Sequence, residues 1–338
     1  MRSMQMDTSI HPMTLGDIFD RTFRLIGKTV LRNVTVAIIF LIVPTFFIVF
    51  AIKRMFNIVG DFGGWSGDIR PEIGFSHLMA LAGSFSILAC AILLFSICLL
   101  FAEISIMIIV GKEMMSETIS VGEAFEETFN KKWLYGIGQA LLKGLVLVAG
   151  SIASVIIFLI IAFATGRSTA GTAIAIFLFV VVLVVVVVFF TIRWYFSLAA
   201  VSIEGIGPVE SLRKSWNLVE GHWWRTLGIL ILLGIASQFV ISMVTMPVMF
   251  GSMWNFYKEL FSMMGRTGGD LDPRLLSELQ RSLGPTIALS SGLTNLLSLL
   301  ITPVFVVIMY FDLRARKNDL SVPPPADTTP AITPPPVQ

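Results

Sequence analysis

A chain of 338 residues that is 55% hydrophobic and only 14% charged falls outside the soluble globular range, where about a quarter of residues carry charge. A net charge of +2 says nothing about partners, no basic cluster is dense enough to propose nucleic acid, and the mean hydropathy of +0.85 points to lipid. The apolar residues lie in blocks near the ~20 needed to cross a ~30 Å hydrocarbon core, and helices are the reading of such blocks, because a spanning β-barrel shows alternating segments of about ten.

The first thirty residues are mixed and charged, without the compact apolar core or small-residue cleavage site of a signal peptide. The first span is therefore expected to act as its own uncleaved insertion signal. Six blocks qualify as spans, at about 34–51, 78–110, 144–163, 172–192, 227–250 and 293–311. Pro44, Pro247 and Pro303 fall inside them, and lipid-embedded helices tolerate proline, usually with a kink. Cys90 and Cys98 share a helix face eight residues apart, too far along it to bond, and read as small buried hydrophobes.

Sixteen of the 24 Lys and Arg residues fall on one side of this arrangement: those before the first span, those between spans two and three and between four and five, and those after the sixth. That bias predicts both termini in the cytoplasm, in agreement with an even number of spans. The first outer loop, "GDFGGWSGD", is Gly-rich. The last contains "DPRLLSELQRSL", in which Asp272 can cap, Pro273 suits the first turn and four leucines form a stripe, so a short helix on the outer surface is expected. The tail over 321–338 is proline-rich and is expected to be disordered and cytoplasmic.

Three stretches match one another: "LGDIFDRTFRLIGKTV" from Leu15, "VGEAFEETFNKKWLYG" from Val121 and "PVESLRKSWNLVEGHW" from Pro208. An acid recurs at Asp17, Glu123 and Glu210, and an apolar residue two later at Phe19, Phe125 and Leu212. A hydroxyl recurs at Thr22, Thr128 and Ser215, followed by an aromatic at Phe23, Phe129 and Trp216. Each stretch runs into an odd-numbered span, so the predicted unit is amphipathic helix, span, outer loop, span, three times over. In the third copy Val209, Leu212, Trp216, Val219 and Trp223 form one apolar stripe. Such a helix lies in the interface, its first-turn acid complements the helix dipole, and Trp223 and Trp224 mark the headgroup level. The three helices make a collar at the cytoplasmic face that braces the bundle or serves as a docking platform or gate.

The stretch 193–233, "RWYFSLAAVSIEGIGPVESLRKSWNLVEGHWWRTLGILILL", resembles the membrane domain attached to some bacterial glycerophosphodiester phosphodiesterases. "TLGDIFDRTFRLIGK" near the start and "YFDLRARKNDL" near the end are similar to the same group. The resemblance implies a bacterial cytoplasmic-membrane protein of six or more helices. It brings no phosphodiesterase activity, since that belongs to a separate barrel of about 250 residues, and no segment of this chain is long enough to form one.

The three histidines, His11, His77 and His222, are scattered, and no HExxH, CxxC or P-loop is present. Ser66 in "GWSG" lies in a Gly-rich loop without a histidine to act as base. Intramembrane charge is the better lead. Glu103 and Arg193 each lie near the cytoplasmic end of an even span and are expected to face each other as an ion pair, the alternative being separate snorkelling to the interface. Lys143 at the start of the third span is expected to snorkel.

The sequence thus predicts an all-α integral membrane protein. One domain covers 1–320, with repeats at about 14–111, 120–203 and 208–314. No enzyme activity, cofactor or metal is expected. The expected partners are the lipid bilayer and a membrane or cytoplasmic protein, which gives a scaffold or accessory role. The alternative is a transporter or channel for a small or amphiphilic solute, and a lipid-acting enzyme comes third. A cavity between the repeats, with Glu103 in its wall, is the feature that would favour transport.

Overall fold

The computed structural model describes residues 12–63, 71–164, 169–267 and 273–317, and these are all helix and connecting turns, with no strand among them. Among the described residues nine α-helices follow in order: α1 (Leu15–Gly63), α2 (Pro71–Met114), α3 (Val121–Glu127), α4 (Trp133–Ala164), α5 (Thr169–Arg193), α6 (Ser197–Glu204), α7 (Pro208–Val219), α8 (Trp223–Thr267) and α9 (Pro273–Arg316). Six segments among the described residues are long and apolar enough to cross a membrane, and they cover the six expected blocks to within two residues. The proline-rich tail and the loop around Trp65 lie outside the described residues.

The helices overrun the apolar blocks that announced them. α1 has 49 residues and α2, α8 and α9 have 44, 45 and 44, against 32 for α4 and 25 for α5. At 1.5 Å per residue the four long ones reach about 65–75 Å, roughly twice a hydrocarbon core. The expected surface helix after Asp272 does begin at Pro273, but it runs on without a break as the first turns of α9. Cys90 is exposed and Cys98 half-buried, so neither is the core residue expected.

α1 packs along α9 and α2, and α8 along α9, while α4 pairs chiefly with α5. Between apolar helices in lipid there is little hydrophobic drive, and close approach at small residues substitutes for it. Such contacts recur here. A Cβ on Gly292 of α9 would come within 3.1 Å of Thr45 on α1, and one on Gly150 of α4 within 3.3 Å of Val186 on α5. The α4–α5 pair meets the rest of the molecule through the first turns of α4 and the last turns of α5. There a Cβ on Gly136 would sit 2.7 Å from Ile104 of α2, and one on Gly138 would sit 3.0 Å from Pro208 of α7. Large apolar side chains cover the outside of α4 and α5, including Leu141, Phe163 and Phe177, and an apolar surface of that extent marks a face for lipid or for another protein.

The core sits at the end where α1 begins and α9 finishes. Val304 to Leu313 of α9, Ile104 to Val110 of α2 and Ser197 to Ser202 of α6 are buried nearly all round. α6 was not expected. It follows α5 after a turn at Trp194–Phe196, packs on α2 and α7, and is closed by Gly205, whose φ of +67° suits a residue without Cβ.

The three matching stretches all occupy this same end, in three different forms. The first is the opening of α1, continuous with its span, so no separate surface helix exists there. The second is α3, joined to α4 through a kinked π-turn at Thr128–Lys132 in which Lys131 has φ +66°. The third is α7, a separate helix divided from α8 by a turn at Gly221. Their burial follows one pattern nonetheless. The acid is exposed, the next residue (Ile18, Ala124, Ser211) is buried, and the hydroxyl four further on (Thr22, Thr128, Ser215) is buried again.

Candidate functional site

The recurring acids act as helix caps rather than as a ligand cluster. Thr14 and Asp17 exchange hydrogen bonds at the start of α1, and Ser120 and Glu123 form a full capping box on α3. In the third copy Gly207 stands at the N-cap, so Glu210 has no side chain to complete the box and acts only through the helix dipole. The recurring hydroxyls bond inward. Thr22 donates to the Ile18 carbonyl, Thr128 to that of Ala124, and Ser215 to that of Arg193.

The aromatic positions divide. Phe125 packs edge-on against Phe40 and Phe129 against Phe101, whereas Phe23 is 64% exposed. Phe19 and Leu212 are half-buried, and the face of α7 turned inward is Ser211, Ser215, Leu218 and Val219 rather than the full predicted stripe, since Val209 is exposed. Trp223 is half-buried and meets the exposed Trp224 edge-on at 4.7 Å.

An ion-paired layer ties the helix ends together. Asp312 of α9 is fully buried. One of its oxygens accepts the Met13 backbone N–H at 2.7 Å, and the other accepts Arg225 at 2.7 Å and Arg316 at 3.1 Å. Both arginines also donate to the Met13 carbonyl. Glu204 at the end of α6 accepts the Tyr310 hydroxyl and pairs with Lys214 of α7 and Arg314 of α9. Arg32 pairs with Glu113 and donates to the Ile119 carbonyl, and Lys132 pairs with Glu127 and donates to the Ser202 carbonyl. Many of the basic residues that set the expected orientation are therefore neutralised locally.

Glu103 and Arg193 form no ion pair among the described residues. Arg193 lies 4.4 Å over the Trp216 ring and 5.4 Å from that of Phe189, and donates to the Trp216 carbonyl. An aromatic face at α7 holds the guanidinium instead of a carboxylate. Glu103 turns elsewhere, into a cavity of about 310 Å³ between α2, α4, the end of α5 and α9. Lys143 lines the same cavity.

Local sequence explains this convergence. Gly136, Gln139 and Lys143 fall at i, i+3 and i+7 on one face of α4. Gly136 brings that face against α2 at Ile104, next to Glu103. Gln139 is buried, and its side-chain oxygen accepts the Ser197 hydroxyl at 2.6 Å, which turns the amide nitrogen away from α6. Phe190, Trp194 and Tyr195 supply an aromatic wall, with Phe190 and Trp194 at 4.8 Å, and Pro303 and Val306 an apolar one. Glu103 and Lys143 are the charged residues of the lining, and no direct pair closes between them.

Residues 118–312 match the family model described as Domain of unknown function (DUF7847). The chain belongs to this family. The DUF7847 stretch runs from the turn before α3 to Asp312, so it contains Lys143, Gln139 and the aromatic wall, while α1, α2 and Glu103 precede it. No curated protein and no solved structure matches the chain.

Proposed function

We infer that this DUF7847 protein is a non-enzymatic, six-span protein of a bacterial cytoplasmic membrane that binds and moves a small amphiphilic solute. The observation that carries the reading is one cavity among the apolar helices with Glu103 and Lys143 both in its wall. Charge at such depth is costly and is retained where a solute passes or binds. The three matching stretches, with one burial pattern and one location, support descent from a triplicated helix-plus-hairpin unit. The Lys and Arg bias supports cytoplasmic termini.

The test is purification from native membranes in mild detergent, followed by mass spectrometry of what accompanies the chain. A small amphiphile at near-equal stoichiometry, lost when Ala140→Trp fills the cavity, is the expected result. A stoichiometric protein partner with no small molecule would overturn it in favour of a second reading, a scaffold. The interlocked ionic layer supports that alternative, because it offers a rigid charged face at one end.

A further inference from the structure

The charges of the cavity narrow the kind of solute. Glu103 of α2 and Lys143 of α4 cancel in sum and feel each other's charge, yet no ion pair closes between them. Two opposite charges in an apolar wall are stabilised when something bridges them, and each costs free energy when left alone. A simple anion satisfies Lys143 and leaves Glu103 unpaired, and a simple cation does the reverse. A group bearing both signs satisfies both and brings no net charge into the apolar interior.

The rest of the lining offers a partner for each sign. The aromatic wall of Trp194 and Phe190 suits an ammonium, and the amide of Gln139, one turn from Lys143 on α4, suits an anionic oxygen. A volume of about 310 Å³ is at the lower end for small-molecule sites, enough for a polar head but not for two acyl chains. The exposed apolar flanks of α4 and α5 offer those chains a surface.

We propose that the cavity between Glu103 and Lys143 binds a zwitterionic head, an ammonium joined through a short linker to a phosphate or carboxylate. This rests on the reading of the cavity as a solute site. Its chemistry is shared by a zwitterionic lipid and by a free zwitterion, and the experiment separates the two.

The full chain is reconstituted in nanodiscs of equal parts phosphatidylethanolamine and phosphatidylglycerol, and the lipid retained on ejection into the gas phase is identified by native mass spectrometry. Phosphatidylethanolamine is expected to be enriched about tenfold in the wild type, a difference of about 1.4 kcal/mol. The enrichment is expected to disappear in Glu103→Gln, in Lys143→Met and in Ala140→Trp, which fills the cavity without touching its charges. In the double change Glu103→Lys with Lys143→Glu, a lipid head pinned by its tails stays lost, whereas a free zwitterion turns round and binds again. Soluble phosphoethanolamine is the second probe, and its binding without lipid enrichment assigns the site to a free molecule.

Equal retention of the two lipids together with no phosphoethanolamine binding overturns the proposal. Retention of phosphatidylglycerol that depends on Lys143 alone overturns the zwitterion and leaves the solute-binding reading standing. Absence of any cavity-dependent ligand removes both. The wild-type selectivity is read without any variant, so a variant that fails to fold does not protect the proposal.

Discussion

The Met13 backbone N–H donates to the Asp312 carboxylate at 2.7 Å, across 299 residues of sequence. The same carboxylate holds Arg225 and Arg316, and both arginines return to the Met13 carbonyl. One buried acid thus joins the segment before α1, the first turn of α8 and the last turns of α9. Breaking a buried pair by removing one partner costs about 3–5 kcal/mol, because the other charge is left unsatisfied. Asp312→Ala is expected to lower the melting temperature in detergent sharply. Asp312→Asn should lose less, since it keeps one acceptor for Met13. A melting curve unchanged in Asp312→Ala would show that the acid does not hold the helix ends.

The contact of Gly136 with Ile104 sets the crossing of α4 on α2. Gly136→Ala adds a Cβ 2.7 Å from the Ile104 Cδ1. Because that atom ends a flexible side chain, part of the strain relaxes, and a cost of about 1–3 kcal/mol is expected. Gly136→Val should separate α2 from α4 and release the cavity ligand. Wild-type stability and ligand retention in Gly136→Val would contradict this account of the crossing.

The charge partners can be told apart by exchange. Glu103→Arg with Arg193→Glu is expected to fold no better than either single change, because Arg193 belongs to Trp216. Glu103→Lys with Lys143→Glu should recover expression relative to its singles, because both side chains line one cavity. Monodisperse yield in gel filtration reads both cycles. Recovery in the Arg193 exchange alone would restore the pairing anticipated from sequence.

Orientation is tested with impermeant maleimide on intact cells, in a background with Cys90→Ala and Cys98→Ala. Ser116→Cys and Glu220→Cys sit in turns at the ionic end and should stay unlabelled until the cells are opened. Lys53→Cys, exposed towards the far end of α1, should label at once. The reverse pattern would invert the assigned topology.

The Ser120 cap gives a smaller signal. Ser120→Ala removes the side-chain acceptor for the Glu123 N–H and should cost about 1 kcal/mol. Gly207→Ala, where no side chain caps, should leave this term untouched. Equal losses at both positions by thermal unfolding would argue against the capping role.

The spans were legible because hydropathy alone marks a block of twenty apolar residues. Their true lengths were not, because residues 15–33 of α1 and 52–63 beyond the block are polar enough to escape a hydropathy reading, yet contain no proline to stop the helix. α6 was missed, since "SLAAVSIEG" follows Arg193 as a run of small residues without a strong period. Gly205 at its end was the available signal. Glu103 was singled out as a charge within an apolar helix and lines the cavity, but its neighbour was misassigned. Span position pairs Glu103 with Arg193, while the close approach at Gly136 gives it Lys143, and that approach depends on packing between distant segments. Asp312 drew no attention because the arginines beside it were counted only for topology.

The unequal helix lengths carry a last consequence. From a common base at the ionic end, α4 stops about 20 Å short of α8, on the difference between 32 and 45 residues. Four tall masts therefore flank a low wall.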